Sequence, residues 1–212
     1  SPEAGVPPMD ARAAARAGGS LPAPAQRTSG ALRLSYRRRG PRSVLAGAYR
    51  AGASRILEPA GPAPVAEGVL INTAGGIAGG DRFDVAVDVG EAASALLTTQ
   101  ACEKVYRAAA DDPDAAVETR ATLGAGAALA WLPQPTILFD GARLTRRIAI
   151  DMDATARCLA LESVILGRQA MGETVERLSF LDGWRIRRGG KLVFADATRL
   201  RGAVPPATAG PA

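Results

Sequence analysis

Leu70–Arg107 reads LINTAGGIAGGDRFDVAVDVGEAASALLTTQACEKVYR, and its pattern decides the fold class. After the glycines Gly75, Gly76, Gly79 and Gly80 come Phe83, Val85, Val87 and Val89, alternating with Asp84, Ala86 and Asp88. A period of two is the mark of a strand with one buried face. Glycine loops that cradle phosphates open a helix instead, and a phosphate loop needs Lys and Ser or Thr where this chain has Asp81 and Arg82. A carboxylate there repels a phosphate. The glycines therefore read as a tight turn between strands, closed by Asp81, and not as a nucleotide site.

The same texture continues on both sides. Strand-like segments bounded by turn residues are predicted at Ala31–Tyr36, Ser43–Arg50, Val65–Asn72, Arg82–Val89, Ala93–Thr99 and Ala115–Thr122. They continue at Ala127–Leu132, Arg143–Ile150, Ala156–Val164, Thr174–Leu181, Trp184–Arg188 and Lys191–Ala195. Inside the domain the best helix candidate is Ala101–Ala110, which Asp111-Asp112-Pro113 would stop, and a brief helix over Met9–Ala17 would offer no docking face. The fold class is all-β.

Three segments align with one another. Val85–Gln100, Thr119–Gln134 and, more loosely, Ile148–Ser163 each run strand, small-residue turn, strand, polar corner. From Gln100 to Gln134 is 34 residues and from Gln134 to Ser163 is 29. Spacings of this size belong to stacked units that bury their inner faces against one another. A β-helix-like stack of short strands with little helix is predicted, in which Gln100, Gln134 and Ser163 line up along one edge beside Thr99, Pro133 and Glu162. A sandwich of hairpins is the competing expectation.

A chain of 212 residues suffices for one core. Residues 1–30, rich in Ala, Pro, Gly and Arg, read as a flexible leader; 31–201 as the β domain; 202–212 as a loose tail. The net charge is +5 and the pI about 9.9. Of the 26 basic residues only Lys104 and Lys191 are lysines, and the arginine clusters (Arg37–Arg39 with Arg42; Arg185, Arg187 and Arg188) lie on strand or turn sequence, not on a recognition helix. They read as solvated faces, so no nucleic-acid partner is expected. The uncharged window Ala121–Phe139 is broken by Pro133 and Pro135, so no membrane span is expected. The two cysteines, Cys102 and Cys158, are too few for a disulfide framework, which suits a reducing cytoplasm.

Four motifs, taken in order, resemble the UreD (UreH) family of urease accessory proteins. They are Asn72–Asp81; Leu97–Gln100 with Lys104–Arg107; Trp131–Gln134 with Ile137–Gly141; and Leu166–Arg168 with Gly172-Glu173. Two departures are visible. Thr73-Ala74 stands where the family usually has a Pro-Pro pair, and family members usually continue well beyond Ala212. The resemblance implies a β-helix-like scaffold that catalyses no reaction. It implies a role in metallocentre assembly: joining a UreF-type helical accessory protein and a UreG-type GTPase and assisting nickel insertion into apo-urease, with nickel in transit and no cofactor tightly bound. On matching motif positions, Asp81, Lys104, Glu162 and Glu173 are the polar residues expected to line an internal passage or pin the loops around it. Asp81 and Glu162 are the expected nickel contacts. Gly75, Gly76, Gly79, Gly80, Gln100, Lys104, Tyr106, Gln134, Arg168 and Glu173 are the expected structural or partner-facing set. Plainer roles compete: a buried Glu162–Lys104 pair, Glu173 capping a turn beside Gly172, and core packing for both cysteines. An uncovered last unit would mean either a truncated C-terminal region or the need for a partner or a second copy of the chain over that end.

There is no histidine, which removes the commonest general base and the commonest transition-metal ligand. A hydrolase would have to run on carboxylates, with Asp81, Asp84, Glu103, Asp140, Glu162 and Glu173 as candidates. A carboxylate-dependent carbohydrate-active enzyme is therefore the alternative, although the four Phe, two Trp and three Tyr form no cluster for sugar stacking.

Overall fold

The computed structural model describes residues 27–59, 64–168 and 171–203, and its named elements are all strands. They are β1 (Ser29–Arg39), β2 (Arg42–Gly52), β3 (Ser54–Leu57), β4 (Ala66–Asn72), β5 (Arg82–Val89), β6 (Ser94–Thr99), β7 (Glu103–Val105) and β8 (Ala115–Leu123). Then follow β9 (Ala128–Trp131), β10 (Thr136–Leu138), β11 (Arg143–Met152), β12 (Arg157–Ala160), β13 (Val164–Leu166), β14 (Arg177–Arg188) and β15 (Lys191–Ala203). The all-β expectation holds.

Three sheets form. One has seven strands in the order β15-β14-β11-β8-β5-β1-β2, one has five, β12-β9-β6-β4-β3, and one has three, β13-β10-β7. The chain visits them in rotation: β5-β6-β7, β8-β9-β10 and β11-β12-β13 are successive coils, each laying one strand in each sheet, parallel to its counterpart. The register follows the internal repeat. Ser94 pairs with Ala128 and Ala128 with Arg157, which are the 34- and 29-residue spacings read at the corners. Among the described residues, antiparallel hairpins occur only where β1 meets β2, β3 meets β4 and β14 meets β15. Between successive coils the pairing is therefore parallel, not the antiparallel pairing of hairpins.

Alternation along the strands of the seven-stranded sheet feeds two apolar clusters. Val85, Val87, Ala121, Ile148 and Ile150 meet Ala95, Leu97, Leu129 and Trp131 of the five-stranded sheet. Phe83, Ala115, Leu144 and Phe180 meet Val105 and Leu138 of the three-stranded sheet. Each large side chain so buried contributes on the order of 1.5–3 kcal/mol.

Several boundaries differ from the sequence reading. The helix expected over Ala101–Ala110 is instead β7: Glu103 N–H donates to Pro135 and Lys104 O accepts from Ile77 N–H. Those partners come from neighbouring coils, which local propensity does not register. The predicted Ala156–Val164 strand is split by a corner into β12 and β13, and the two segments predicted between Thr174 and Arg188 are one strand, β14. Ser29 and Gly30 already belong to β1, where Gly30 passes so close to Ser54 and Phe83 that a Cβ has no room. Gly202 and Ala203 close β15. The rest of the expected leader and tail, 1–26 and 204–212, lies outside the described residues.

Candidate functional site

Between the two apolar clusters the coil interior turns polar. β11 alternates Leu144, Arg146, Ile148 and Ile150 inward, and β14 places Phe180, Asp182 and Trp184 in register beside Leu144, Arg146 and Ile148. Arg146 and Asp182 thus interrupt the inward apolar rows at the same level. The Arg146 side chain is 5% exposed, Glu162 8% and Asp182 11%. Arg146 Nε donates to Asp182 Oδ1 at 2.9 Å and Nη2 to Oδ2 at 2.8 Å, a two-pronged pairing. Nη1 donates to Glu162 Oε2 and, at 3.2 Å, to Thr136 Oγ1. Trp131 Nε1 donates to Glu162 Oε1 at 2.9 Å, and Trp184 Nε1 to Asp182 Oδ2 at 3.2 Å. The Phe180 ring lies 5.5 Å from the guanidinium carbon.

One cation serves two carboxylates, a formal net charge of −1 when all three groups are ionised. Burial pushes Glu162 above the usual carboxylate range and Asp182 adds to this, against the pull of Arg146 and the Trp131 hydrogen bond. For Arg146, burial works against the charge, but the hydrogen bonds and charges of Asp182 and Glu162 outweigh it and hold the guanidinium protonated more firmly than usual.

The cluster borders a cavity of about 360 Å³, whose polar lining includes Asn72, Glu103, Thr119, Thr136, Arg146 and Glu162. Glu103 accepts from Asn72 Nδ2 at 3.2 and 3.3 Å. Burial raises its carboxyl too, opposed by the Asn72 bond and the backbone N–H of Lys104. Gly75, Gln100, Cys102, Lys104 and Gln134 also line this space. The predicted corner is real in its hydrogen bonds: Gln134 N–H donates to Thr99 Oγ1 at 2.9 Å, and Thr136 N–H to Ser163 O at 2.9 Å.

Asp81 lies apart from this lining. It is buried, and its carboxylate accepts Thr28 N–H at 2.7 Å and Ala78 N–H at 2.8 Å, which fixes the glycine loop. That loop lays Ile77 against β7, with Ile77 N–H donating to Lys104 O at 2.7 Å. Gly76 sits at φ 153° under the Tyr106 ring, where a Cβ would come within 2.3 Å of a ring carbon. Gly75 and Gly80 have positive φ, and a Cβ on Gly79 would strike Asp112 and Ala108. Tyr106 stacks on Phe139 with centroids 5.3 Å apart, Arg168 lies 4.8 Å over the other partner of that stack, Phe139, and Glu173 holds Arg168 through Nε at 3.2 Å and the backbone N–H at 3.1 Å. Glu173 therefore does brace the turn beside Gly172.

The expected Glu162–Lys104 pair does not form. On β7 the pleat turns Val105 inward and Lys104 outward, so Lys104 is exposed and Glu162 takes Arg146 instead. Arg146 and Asp182 escaped the sequence reading, although a charge standing in the inward row of an apolar alternation was the available signal. Of the other carboxylates considered for hydrolysis, Asp84 pairs with Arg120 on the outer face, and Asp140 with Arg107 and the backbone of Glu176 and Arg177. No group of three His, Cys, Asp or Glu side chains able to hold a metal lies among the described residues. Both cysteines are free and half-buried on different coils, and burial raises the Cys158 thiol.

The sequence profile of the UreD urease accessory proteins matches residues 28–212. The chain belongs to the UreD family. Among its curated relatives, all named urease accessory protein UreD, one from Chelativorans sp. (strain BNC1) is 46% identical over 181 residues, covering 85% of this chain and 65% of the relative. Another, from Rhizobium rhizogenes, is 46% identical over 184 residues (87% and 67%), and one from Bradyrhizobium diazoefficiens is 47% identical over 178 (84% and 64%). The chain thus spans about two thirds of the length of these UreD relatives. No helix among the described residues is long and apolar enough to cross a membrane.

Proposed function

We propose that this chain acts in urease maturation as a non-catalytic cytoplasmic scaffold, whose polar coil interior offers a route for nickel on its way into apo-urease. Membership of the UreD family supports the process. The observation that carries the route is the 360 Å³ interior cavity with Glu103 and Glu162 on its wall. Nickel is cargo in this reading, not a resident ion. Without imidazole, the cavity wall can offer it the Glu103 and Glu162 carboxylates, water and the single thiol of Cys102, a weak donor set suited to release. Glu162 is the proposed contact, already part of a cluster with one negative charge in excess. Asp81, the other residue expected to contact nickel, lies apart from this cavity and in this reading supports the route only by holding the glycine loop at the coil edge. The partners of this reading are a UreF-type helical protein, a UreG-type GTPase and apo-urease, met at the corners and the Tyr106–Phe139–Arg168 stack.

The test is complementation of a urease-positive host that lacks its own copy. The wild-type chain should restore nickel content and activity, whereas Glu162→Gln should leave urease protein at normal abundance but short of nickel. Full nickel loading with the double variant Glu103→Gln/Glu162→Gln would remove the interior route while leaving family membership intact. Nothing favours the carbohydrate-cleaving alternative.

A further inference from the structure

The interior cavity holds more than its carboxylates. Much of its wall is apolar, built from Leu32, Leu70, Phe83, Val85, Trp131 and Leu144, and every residue lining it lies within 32–162, so the coils themselves form the chamber. An ion that keeps water in its shell meets the carboxylates but gains nothing from the apolar wall, the part of a pocket that favours an organic ligand. Two polar groups on the wall also lack full partners. Leu32, Val85, Thr119 and Ile148 stand in register across the seven-stranded sheet as an inward row, and Thr119 puts a hydroxyl into it. Thr119 is 5% exposed and lines the cavity, and unlike Thr99 and Thr136 its hydroxyl makes no hydrogen bond to another described residue. Glu103, half-buried, accepts from Asn72 and from the backbone N–H of Lys104, and no cation pairs with it among the described residues. Of the two cationic residues on the lining, Arg146 is engaged by Asp182 and Glu162, and Lys104 is turned outward.

We propose that this cavity is a binding site for a small primary ammonium ion bearing one short apolar arm. The charged end carries three N–H donors, and the wall offers it the Glu103 carboxylate and the Thr119 hydroxyl as acceptors. The formal excess of negative charge in the Arg146, Glu162 and Asp182 cluster adds to the attraction. The arm takes the apolar side, where Phe83 and Trp131 suit an aromatic ring. At about 360 Å³ the chamber lies near the lower end of the range for small-molecule sites, roughly 300–1,000 Å³, which suits an arm the size of a benzyl group. The carboxylates refuse an anion, and a neutral molecule of the same shape leaves Glu103 without a counter-charge, so charge and shape select together. The inference concerns the chamber itself and stands independently of nickel, although an ion on the route proposed above would find a bound ammonium in its path.

Benzylammonium chloride titrated calorimetrically into the full chain, with no nickel present, tests it. Benzylammonium should bind at least about tenfold more tightly than benzyl alcohol or benzoate, which keep the ring but remove or reverse the charge, and than ammonium chloride, which keeps the charge without the ring. Glu103→Gln should weaken binding by about tenfold or more, since a charge-assisted hydrogen bond is lost, and Thr119→Val, which keeps the shape, by about threefold or more. Asp84→Asn, on the outer face between Phe83 and Val85, should leave it unchanged. Circular dichroism should show the same fold for all three variants, and the comparison of the four small molecules tests charge and shape without any mutation. Because nickel is absent, a failed nickel route leaves each of these outcomes as it is. No binding of benzylammonium, equal binding of benzyl alcohol, or an affinity that Asp84→Asn lowers as much as Glu103→Gln would overturn the proposal, the last by placing the ion on the surface.

Discussion

Replacing Arg146 by Met should unfold this protein more readily than the loss of any single apolar contact, and the penalty should depend on pH. The side chain is buried and makes three hydrogen bonds to carboxylates and one to Thr136. Without it, Glu162 keeps only the Trp131 indole N–H and Asp182 only that of Trp184, and two buried carboxylates face each other with no cation. Breaking a buried pair from one side costs about 3–5 kcal/mol, a large part of the total stability of a domain. At about 2–4 °C per kcal/mol for a chain of this size, the midpoint of thermal unfolding should fall by roughly 6–20 °C at pH 7. Glu162 is already held above the ordinary carboxylate range by burial, and the variant removes the charge that pulled it down. A raised folded-state value means that stability is retained below the unfolded value and lost as pH rises through the folded one, so the deficit should be smaller at pH 5 than at pH 7. The triple variant Arg146→Met/Glu162→Leu/Asp182→Leu should recover most of the loss, because exchanging a whole buried ion cluster for apolar groups is close to neutral. A pH-independent loss of less than about 1 kcal/mol for Arg146→Met, followed by circular dichroism, would refute the reasoning, because the carboxylates would then have found other partners.

Further outcomes follow from the same contacts. Glu162→Gln should flatten the decline in stability between the ordinary glutamate value of 4.5 and neutrality, seen as a weaker pH dependence of the urea midpoint; an unchanged slope would assign that decline to Glu103 instead. Gly76→Ala should cost about 1–3 kcal/mol, because the backbone is left-handed there and the new methyl meets Tyr106 and Lys104 O; Tyr106→Ala should relieve only part of that cost. Asp81→Asn should cost about 1–3 kcal/mol in denaturant melts, since an amide can accept only one of the two N–H groups that the carboxylate holds. Calorimetry should find nickel bound with a dissociation constant on the order of micromolar or weaker, changed little by Cys102→Ser/Cys158→Ser; nanomolar binding abolished by Cys102→Ser would make the chain a carrier.

Much of this was legible because a coil repeats itself in sequence. The spacing between Gln100, Gln134 and Ser163 carried the register of the five- and seven-stranded sheets, since parallel counterparts must advance by the length of one coil. In the three-stranded sheet the advance is one residue shorter, Glu103 to Thr136 and Thr136 to Val164, so its brief strands could not be read from the same alignment. β7 resembled a helix because only three residues of it pair, with partners from other coils. Glu162 stood on a recognised corner, but its cation did not. A Glu162–Lys104 pair ignores the pleat, and only the inward parity of Arg146 within Leu144–Ile150 identifies it as the residue that can reach Glu162.

The charge distribution bears on how an ion would enter. The chain as a whole carries +5, and its exposed cleft beside β15 is lined by arginine, while the interior cluster of Arg146, Glu162 and Asp182 has one negative charge in excess. A free divalent cation in solution meets the basic exterior first and is disfavoured there, although salt confines that repulsion to about 8 Å at physiological ionic strength. The interior excess is shielded far less, because it sits behind apolar clusters on both sides. Such an arrangement disfavours scavenging from bulk water and favours hand-over at a mouth held against another protein. On the proposed route, nickel uptake by the isolated chain should therefore improve as salt is raised from about 10 to 150 mM, opposite to the response of an exposed acidic site. Affinity that falls over that range would place the nickel contacts on the surface instead of in the coil.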